Sequence, residues 1–308
     1  MGKYIVKRLL WMIPIVLGVA VLVFTLMLFC PGNPAEIILG GTATEAEIAA
    51  KTEELGLNDP YLVRLGTYLS DVFLHGDLGA SWSTNVDIMS TILERLPRTM
   101  ILTIVTLFIA YGLGVPLGII AATHQNRWQD TASMLVALVG LAIPNFWLAM
   151  MMMLFFSLQL GILPASGVED GWRSYVMPVI ALSLPPMAEV IRMTRSAMLE
   201  TIRQDYIRTA RAKGLSEKKV IYHHAFRNTL IPLVTIVGGS LPGLFSGALI
   251  TETLFSIPGI GFTSYTAMTA GDIPFSMFYM TFLAVLTLLG NLISDILYAV
   301  VDPRVRIA

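Results

Sequence analysis

The chain has 308 residues, 55% hydrophobic and only 13% charged, with a mean hydropathy of +0.72 and a formal net charge of -1. A soluble protein carries roughly 25% charged residues, so this composition excludes an ordinary water-soluble enzyme and points to lipid as the solvent. The balance of 20 basic against 21 acidic residues gives no reason to expect nucleic acid as a partner.

Apolar runs long enough to cross about 30 Å of hydrocarbon occupy 9–29, 100–122, 131–158, 175–193, 229–251 and 275–301. None alternates apolar and polar residues as a barrel strand must, and backbone amides in lipid have to be satisfied within their own segment, so these six spans are predicted to be helices. The first is preceded by Lys3, Lys7 and Arg8. Its core is longer than that of a secretory signal and no small-residue cleavage site follows, so we read it as an uncleaved span. Cys30, the single cysteine, can form no internal disulfide and reads as a small apolar residue at a helix end.

A polar segment, 31–98, follows. Thr44 and Glu47 have the spacing of a capping box for a short helix ending at Leu55-Gly56. The stretch 61–73 has amphipathic spacing, and His75 to Ser81 reads as a turn. Together they predict a small helical cap on the outer face of the bundle.

Pro144, Pro178, Pro185, Pro186, Pro232 and Pro242, with Gly238, Gly239, Gly243 and Gly247, are expected to break, bend or closely pack the later spans. Pro144-Asn145-Phe146-Trp147 either bends a helix into a pathway or kinks it with aromatics facing lipid. The ionisable residues in or near the spans are Glu189, Arg192 and Asp295. They form no relay, which argues against an ion-coupled carrier and places the energy source outside the chain.

Between the fourth and fifth spans, 194–228 is rich in Arg, Lys and Ala, carries Glu200, Asp205 and Glu217 as its only acids, and has one glycine, Gly214, and no proline. It predicts two helices joined at Gly214. By composition it is either a docking element for another protein or a loop that orients the chain by its positive charge. Placing it inside, with both termini, leaves only Lys51, Arg64, Arg95, Arg98 and Arg173 of the 20 basic residues outside.

Signatures of chemistry are lacking. There is no G-x-x-x-x-G-K-[S/T] phosphate loop and no H-E-x-x-H, and His223-His224 point about 100° apart on a helix. Serines such as Ser183 and Ser240 lack a His or Lys at helical spacing. We predict no catalytic residue, no metal site and no cofactor resident in this chain.

Specific resemblance begins at Asp205-Tyr-Ile-Arg-Thr-Ala-Arg-Ala-Lys-Gly214, followed by His224-Ala-Phe-Arg-Asn228. This stretch resembles the cytoplasmic EAA loop of bacterial ABC-importer permeases, in the form found in the dipeptide/oligopeptide/nickel family. Arg208-Thr209-Ala210 stands where the general pattern has E-A-A, and His224-x-Phe226-Arg227 where it has I-x-L-P, a departure that suits the peptide branch. Arg8-Leu-Leu with Ile13-Pro14 and Leu17-Gly18, Gly76-Asp-Leu-Gly79 with Ser81, Gly247-Ala-Leu-Ile-Thr-Glu252 with Phe255 and Pro258-Gly-Ile-Gly261, and the closing Asp302-Pro303-Arg304 agree with the same branch. The chain looks most like its B-type, or first, permease subunit.

The resemblance implies an all-α membrane protein of six transmembrane helices with cytoplasmic termini. It divides into a first helix over 1–30, an extracytoplasmic helical segment over 31–98, a five-helix permease core over 99–301 that includes the coupling loop 194–228, and a C-terminal tail over 302–308. It implies import of short peptides across the bacterial cytoplasmic membrane by alternating access, with nickel, glutathione or oligosaccharides as alternative cargoes. The implied partners are a related second permease, two P-loop ATPases that bind the ATP and Mg, an extracytoplasmic substrate-binding protein and membrane lipid. Asp205, Tyr206, Arg208, Thr209, Ala210, Arg211, Ala212, Lys213 and Gly214 would dock an ATPase. Glu252, Phe255, Pro258, Gly259 and Gly261 would form an outer gate or a binding-protein contact, or else close a loop structurally.

Overall fold

The computed structural model describes residues 2–29, 33–40 and 42–301. Cys30, Pro31 and the tail 302–308, with its Asp302-Pro303-Arg304 match, lie outside the described residues. Among the described residues every regular element is helical, and the only strand-type pairing is an isolated bridge between Ala80 and Asp87.

Helix α1 covers Gly2–Met27. Three short helices follow: α2 (Pro34–Leu39), α3 (Glu45–Glu54) and α4 (Tyr61–Ser70), the last extended by a π-turn over Asp71–His75. The capping box forms as expected: the Glu47 amide donates to Thr44 Oγ1 at 3.4 Å, and the Thr44 amide donates back to Glu47 Oε2 at 2.8 Å. These bonds hold the Glu47 carboxyl below its ordinary range. Gly56 then takes a left-handed φ of +60°, ending α3 where the sequence places its stop. Helix α2 escaped the sequence reading although its signal is present, with Asn33 as cap and Pro34 in the first turn.

The long helices are α5 (Ile88–Thr123), α8 (Arg173–Ile202), α11 (Phe226–Leu254) and α13 (Ile273–Val301). Helices α5 and α8 overrun the predicted spans, because hydropathy marks only the apolar part of a helix while caps such as Asp87, which accepts from the Ser90 amide at 2.7 Å, set its true end. Among the described residues, five helices are long and apolar enough to cross a membrane. The predicted third span is corrected: it is a pair, α6 (Trp128–Ala142) and α7 (Asn145–Met152, continued as a π-turn over Met153–Gln159), bent by 98°. Pro144 forces Ile143 into an extended conformation and cannot donate to the helix before it, so α6 stops there. Counting that pair as one span gives the expected six. The prolines of α8 and α11 do not interrupt either helix.

Helices α5 and α8 run side by side and carry the core in layers. Leu102 with Leu182 and Leu244, then Ala110 with Ala137 and Ile191, then Ile119 with Met198 occupy successive levels. Ala110, Gly114, Gly118 and Ala122 recur every four residues and let the two backbones approach closely. A side chain at Gly118 would press on Thr194 and on the Ile191 carbonyl. Helices α11 and α13 cross in the same way, backbone against backbone, at Gly238 and Gly290.

Candidate functional site

At one end of the bundle the chain leaves α8 at Ile202 and forms α9, Asp205–Ala212. Lys213 closes the helix, and Gly214 follows with a φ of +74°, the left-handed turn expected of it. The next helix begins at Glu217 (α10, Glu217–Lys219) and passes through a π-turn over Val220–Ala225 directly into α11. Two side chains of α9 point inward: Ile207 and Ala210 are buried among Ile119, Ala122, Met198, Val220 and Ile221. Ala210, grouped with the docking residues by sequence, thus belongs to the helix's seat. Asp205, Tyr206, Arg208, Thr209, Arg211, Ala212, Lys213 and Gly214 are exposed.

The seat is tied to the spans by polar contacts as well. Asn228 donates its amide to the Tyr206 hydroxyl at 3.0 Å and to the His224 carbonyl at 2.8 Å, linking α9 to the start of α11. Arg211 Nη2 donates to Glu217 Oε1 at 2.7 Å and Nε reaches both carboxylate oxygens at 3.1 Å, closing the turn around Gly214. That guanidinium holds the Glu217 carboxyl below its usual range, and burial pushes the Tyr206 phenol up. One level deeper, Arg195 grips Asp130 bidentately at 2.6 and 2.8 Å, fastening α8 to the start of α6. A force on the exposed face of α9 therefore has a packed and hydrogen-bonded route into α5, α6, α8 and α11.

At the opposite end α11 stops at Leu254, and a tight loop leads to α12, Ile260–Thr269. Glu252 is fully buried. It accepts from the Thr99 hydroxyl of α5 at 2.6 Å and from the Phe262 amide at 3.0 Å, while the Ile260 amide donates to Thr99 Oγ1 at 2.9 Å. Glycine at 259 offers α12 no capping side chain, so a glutamate seven residues upstream and a threonine from another helix cap it instead. Any side chain at Gly259 would collide with that carboxylate. Arg98 adds a bond to the Pro258 carbonyl at 3.1 Å. Phe255 is buried with Met152, Met177 and Ile257. Glu252, Phe255, Gly259 and Gly261 are buried and Pro258 is half-buried, so the predicted gate residues form an internal clasp joining α5, α11 and α12.

A second buried acid, Asp272, was not singled out by the sequence. It accepts from Ser81 Oγ at 2.5 Å, Ser83 Oγ at 2.9 Å and the Ser83 amide at 3.2 Å, and so anchors the segment before α5 to the start of α13. Among the described residues no three His, Cys, Asp or Glu side chains converge as a metal site would require.

Residues 114–307 match the family described as binding-protein-dependent transport system inner membrane component, and residues 1–103 match its N-terminal counterpart. The chain is 42% identical to the dipeptide transport system permease protein DppB of Alkalihalophilus pseudofirmus, over 99% of this chain and 100% of that one. It is 36% identical to the oligopeptide transport system permease protein AppB of Bacillus subtilis, over 99% of this chain and all of that one. It is 37% identical to the glutathione transport system permease protein GsiC of Salmonella choleraesuis, over 99% of each. Among solved structures, the inward-facing MetNI methionine ABC transporter superposes with a TM-score of 0.56 at 18% identity, over 70% of this chain and 97% of that one, a likeness of fold.

Proposed function

Because the chain belongs to the family of binding-protein-dependent transport system inner membrane components, we propose that it is one permease subunit of an ATP-driven importer of short peptides in the bacterial cytoplasmic membrane. The end-to-end likeness to dipeptide and oligopeptide permeases carries this reading. In it, the α9 end faces the cytoplasm, where most Lys and Arg of the chain lie, and the segment 33–87 faces the other side. A related permease completes the pathway, two P-loop ATPases supply ATP hydrolysis, and a binding protein delivers the peptide.

The exposed residues of α9, Asp205 to Gly214, dock an ATPase. Closure of the ATPase pair on ATP displaces α9, and its packed seat passes the displacement to α5, α8 and α11, switching access from one side to the other. The clasp at Glu252 keeps α5, α11 and α12 together at the far end during that motion.

The test is co-purification from native membranes in mild detergent, followed by peptide uptake into proteoliposomes. Recovery of a second permease and P-loop ATPases, with uptake that requires ATP inside the assembly, is the expected result. A chain recovered alone that moves solute without ATP would overturn the reading in favour of a secondary carrier.

A further inference from the structure

Helix α8 is the most enclosed of the long helices, with 56% of its apolar stretch buried. Met187, Ala188, Val190, Ile191, Thr194 and Met198 pack against neighbouring helices. Beyond Met187 the exposed residues of α8 fall on one narrow stripe: Glu189, Arg192, Met193, Ser196 and Glu200 recur at steps of three and four. Three of them, Glu189, Arg192 and Glu200, are ionisable and lie within the helix 173–202 that is long and apolar enough to cross a membrane, Glu200 close to its end and Glu189 and Arg192 nearer its middle. Neither Glu189 nor Arg192 makes a hydrogen bond or ion pair with another described residue. The Arg nearby on the same helix, Arg195, is fully engaged by Asp130, so the stripe's charges are not absorbed by it.

Unpaired charges inside a span do not face hydrocarbon; they face water, a substrate path or another chain's polar groups. The stripe continues through Glu200 to Arg203, both exposed, at the α9 end. A line of exposed, mostly polar side chains therefore runs from that end to Glu189, about 21 Å along the helix at about 1.5 Å per residue. Opposite charges three residues apart stand on one face, separated by about 4.5 Å of helix rise. A free peptide is a zwitterion, with an ammonium group at one end and a carboxylate at the other, and these are the two charges that such a face complements. Arginine suits the carboxylate because its planar fork binds both oxygens.

We propose that Glu189 and Arg192 line the substrate path and hold the charged ends of a peptide in transit, Glu189 the ammonium group and Arg192 the carboxylate. This rests on the peptide-importer reading for its ligand, and on the geometry of α8 alone for the wet face.

The experiment uses the assembled transporter in proteoliposomes, with Cys30→Ser as background so that introduced cysteines are the only thiols of this chain. Glu189→Cys and Arg192→Cys are labelled with a membrane-impermeant thiol reagent in the presence and absence of excess dialanine. Phe108→Cys, on the most exposed apolar side chain of α5, serves as the lipid-facing control. The expected result is labelling at 189 and 192 faster than at 108 by about tenfold or more, slowed by dialanine. In parallel, Glu189→Gln and Arg192→Gln should each lower dialanine uptake by about tenfold or more, the size expected for loss of one charge-assisted hydrogen bond, while ATPase subunits still co-purify. Labelling at 189 and 192 no faster than at 108 would overturn the wet face. Fast labelling that dialanine does not slow, with uptake unchanged in both Gln variants, would overturn the contact with peptide. A disulfide from either cysteine to the second permease, with no reagent access, would show the charges to be interface partners and overturn the proposal as well. Wild-type vesicles that take up no peptide with ATP would remove the peptide-importer reading, while the labelling rates would still decide whether the stripe is wet.

Discussion

Glu252 stands out in the sequence, but the groups that surround it come from distant parts of the chain. Sequence inspection looks for a helix cap at the residue just before the helix, and that residue is Gly259, which has nothing to offer. The capping groups come instead from α11 and α5, a link no local pattern contains. Replacing Glu252 with Gln keeps one acceptor but turns an NH2 group toward either the Phe262 amide or the Thr99 hydroxyl, both of which donate to the carboxylate. It should destabilise the detergent-solubilised protein by about 1–3 kcal/mol, seen as a lower thermal midpoint; an unchanged midpoint would refute the clasp. Gly259→Ala should do likewise through collision with the same carboxylate. At the α9 turn, the Arg211 bond holds the Glu217 carboxyl below its ordinary value of about 4.3. The pair's contribution is thus fully present above that ordinary value and is lost as pH falls through the lowered one. Both side chains are substantially exposed, so it amounts to about 0.2–1 kcal/mol after solvent screening. The protection of the 205–219 amides, taken relative to their intrinsic exchange rate at each pH, should fall by about a few-fold toward pH 3 in the wild type, while Glu217→Gln shows that lower protection already at neutral pH.

At the scale of elements, the helices were legible and their contacts were only partly so. Hydropathy located the five long apolar helices and the bent pair α6–α7, which it took for one continuous helix, and the capping box at Thr44 and Glu47 located the start of α3. The glycine cluster of α11 drew attention in the sequence, yet only Gly238 and Gly247 are crowded, while Gly239 and Gly243 have open space. The closest α5–α8 approach lies instead at Gly114 and Gly118, whose four-residue spacing with Ala110 and Ala122 was readable as a small-residue packing face. What spacing cannot tell is which helix the face meets. Gly118→Leu should force α5 from α8 and abolish accumulation of folded protein in the membrane. Gly118→Ala, whose new carbon would stand 2.5 Å from Thr194 Cβ, should cost about 1–3 kcal/mol. Gly112→Ala, on the same helix but with nothing within 4 Å, should be neutral or stabilising by up to about 1 kcal/mol. Equal thermal midpoints for the two alanine variants would refute the close approach.

For the whole molecule, the proposed coupling requires α9 to act as a rigid lever, and a rigid α9 requires the turn at Gly214. A φ of +74° suits glycine and penalises a β-branched residue. Gly214→Val should lower ATP-driven uptake by about tenfold or more, equivalent to about 1.4 kcal/mol of lost coupling, measured as uptake per ATP hydrolysed; normal uptake would refute the turn's role. The sequence by itself determined that this is a multi-span helical membrane protein of the importer-permease family, because lipid imposes its demand residue by residue along the chain: length, apolarity and internally satisfied amides. It also determined where α9 and its glycine turn would be, since caps and turns are set by near neighbours. Only the tertiary structure decided that Glu252 caps a helix, that Asp272 anchors the segment before α5, that the third span bends by 98°, and that Glu189 and Arg192 share an exposed stripe of α8. Those facts arise between residues distant in the chain, where the energy of a side chain is set by what packs against it.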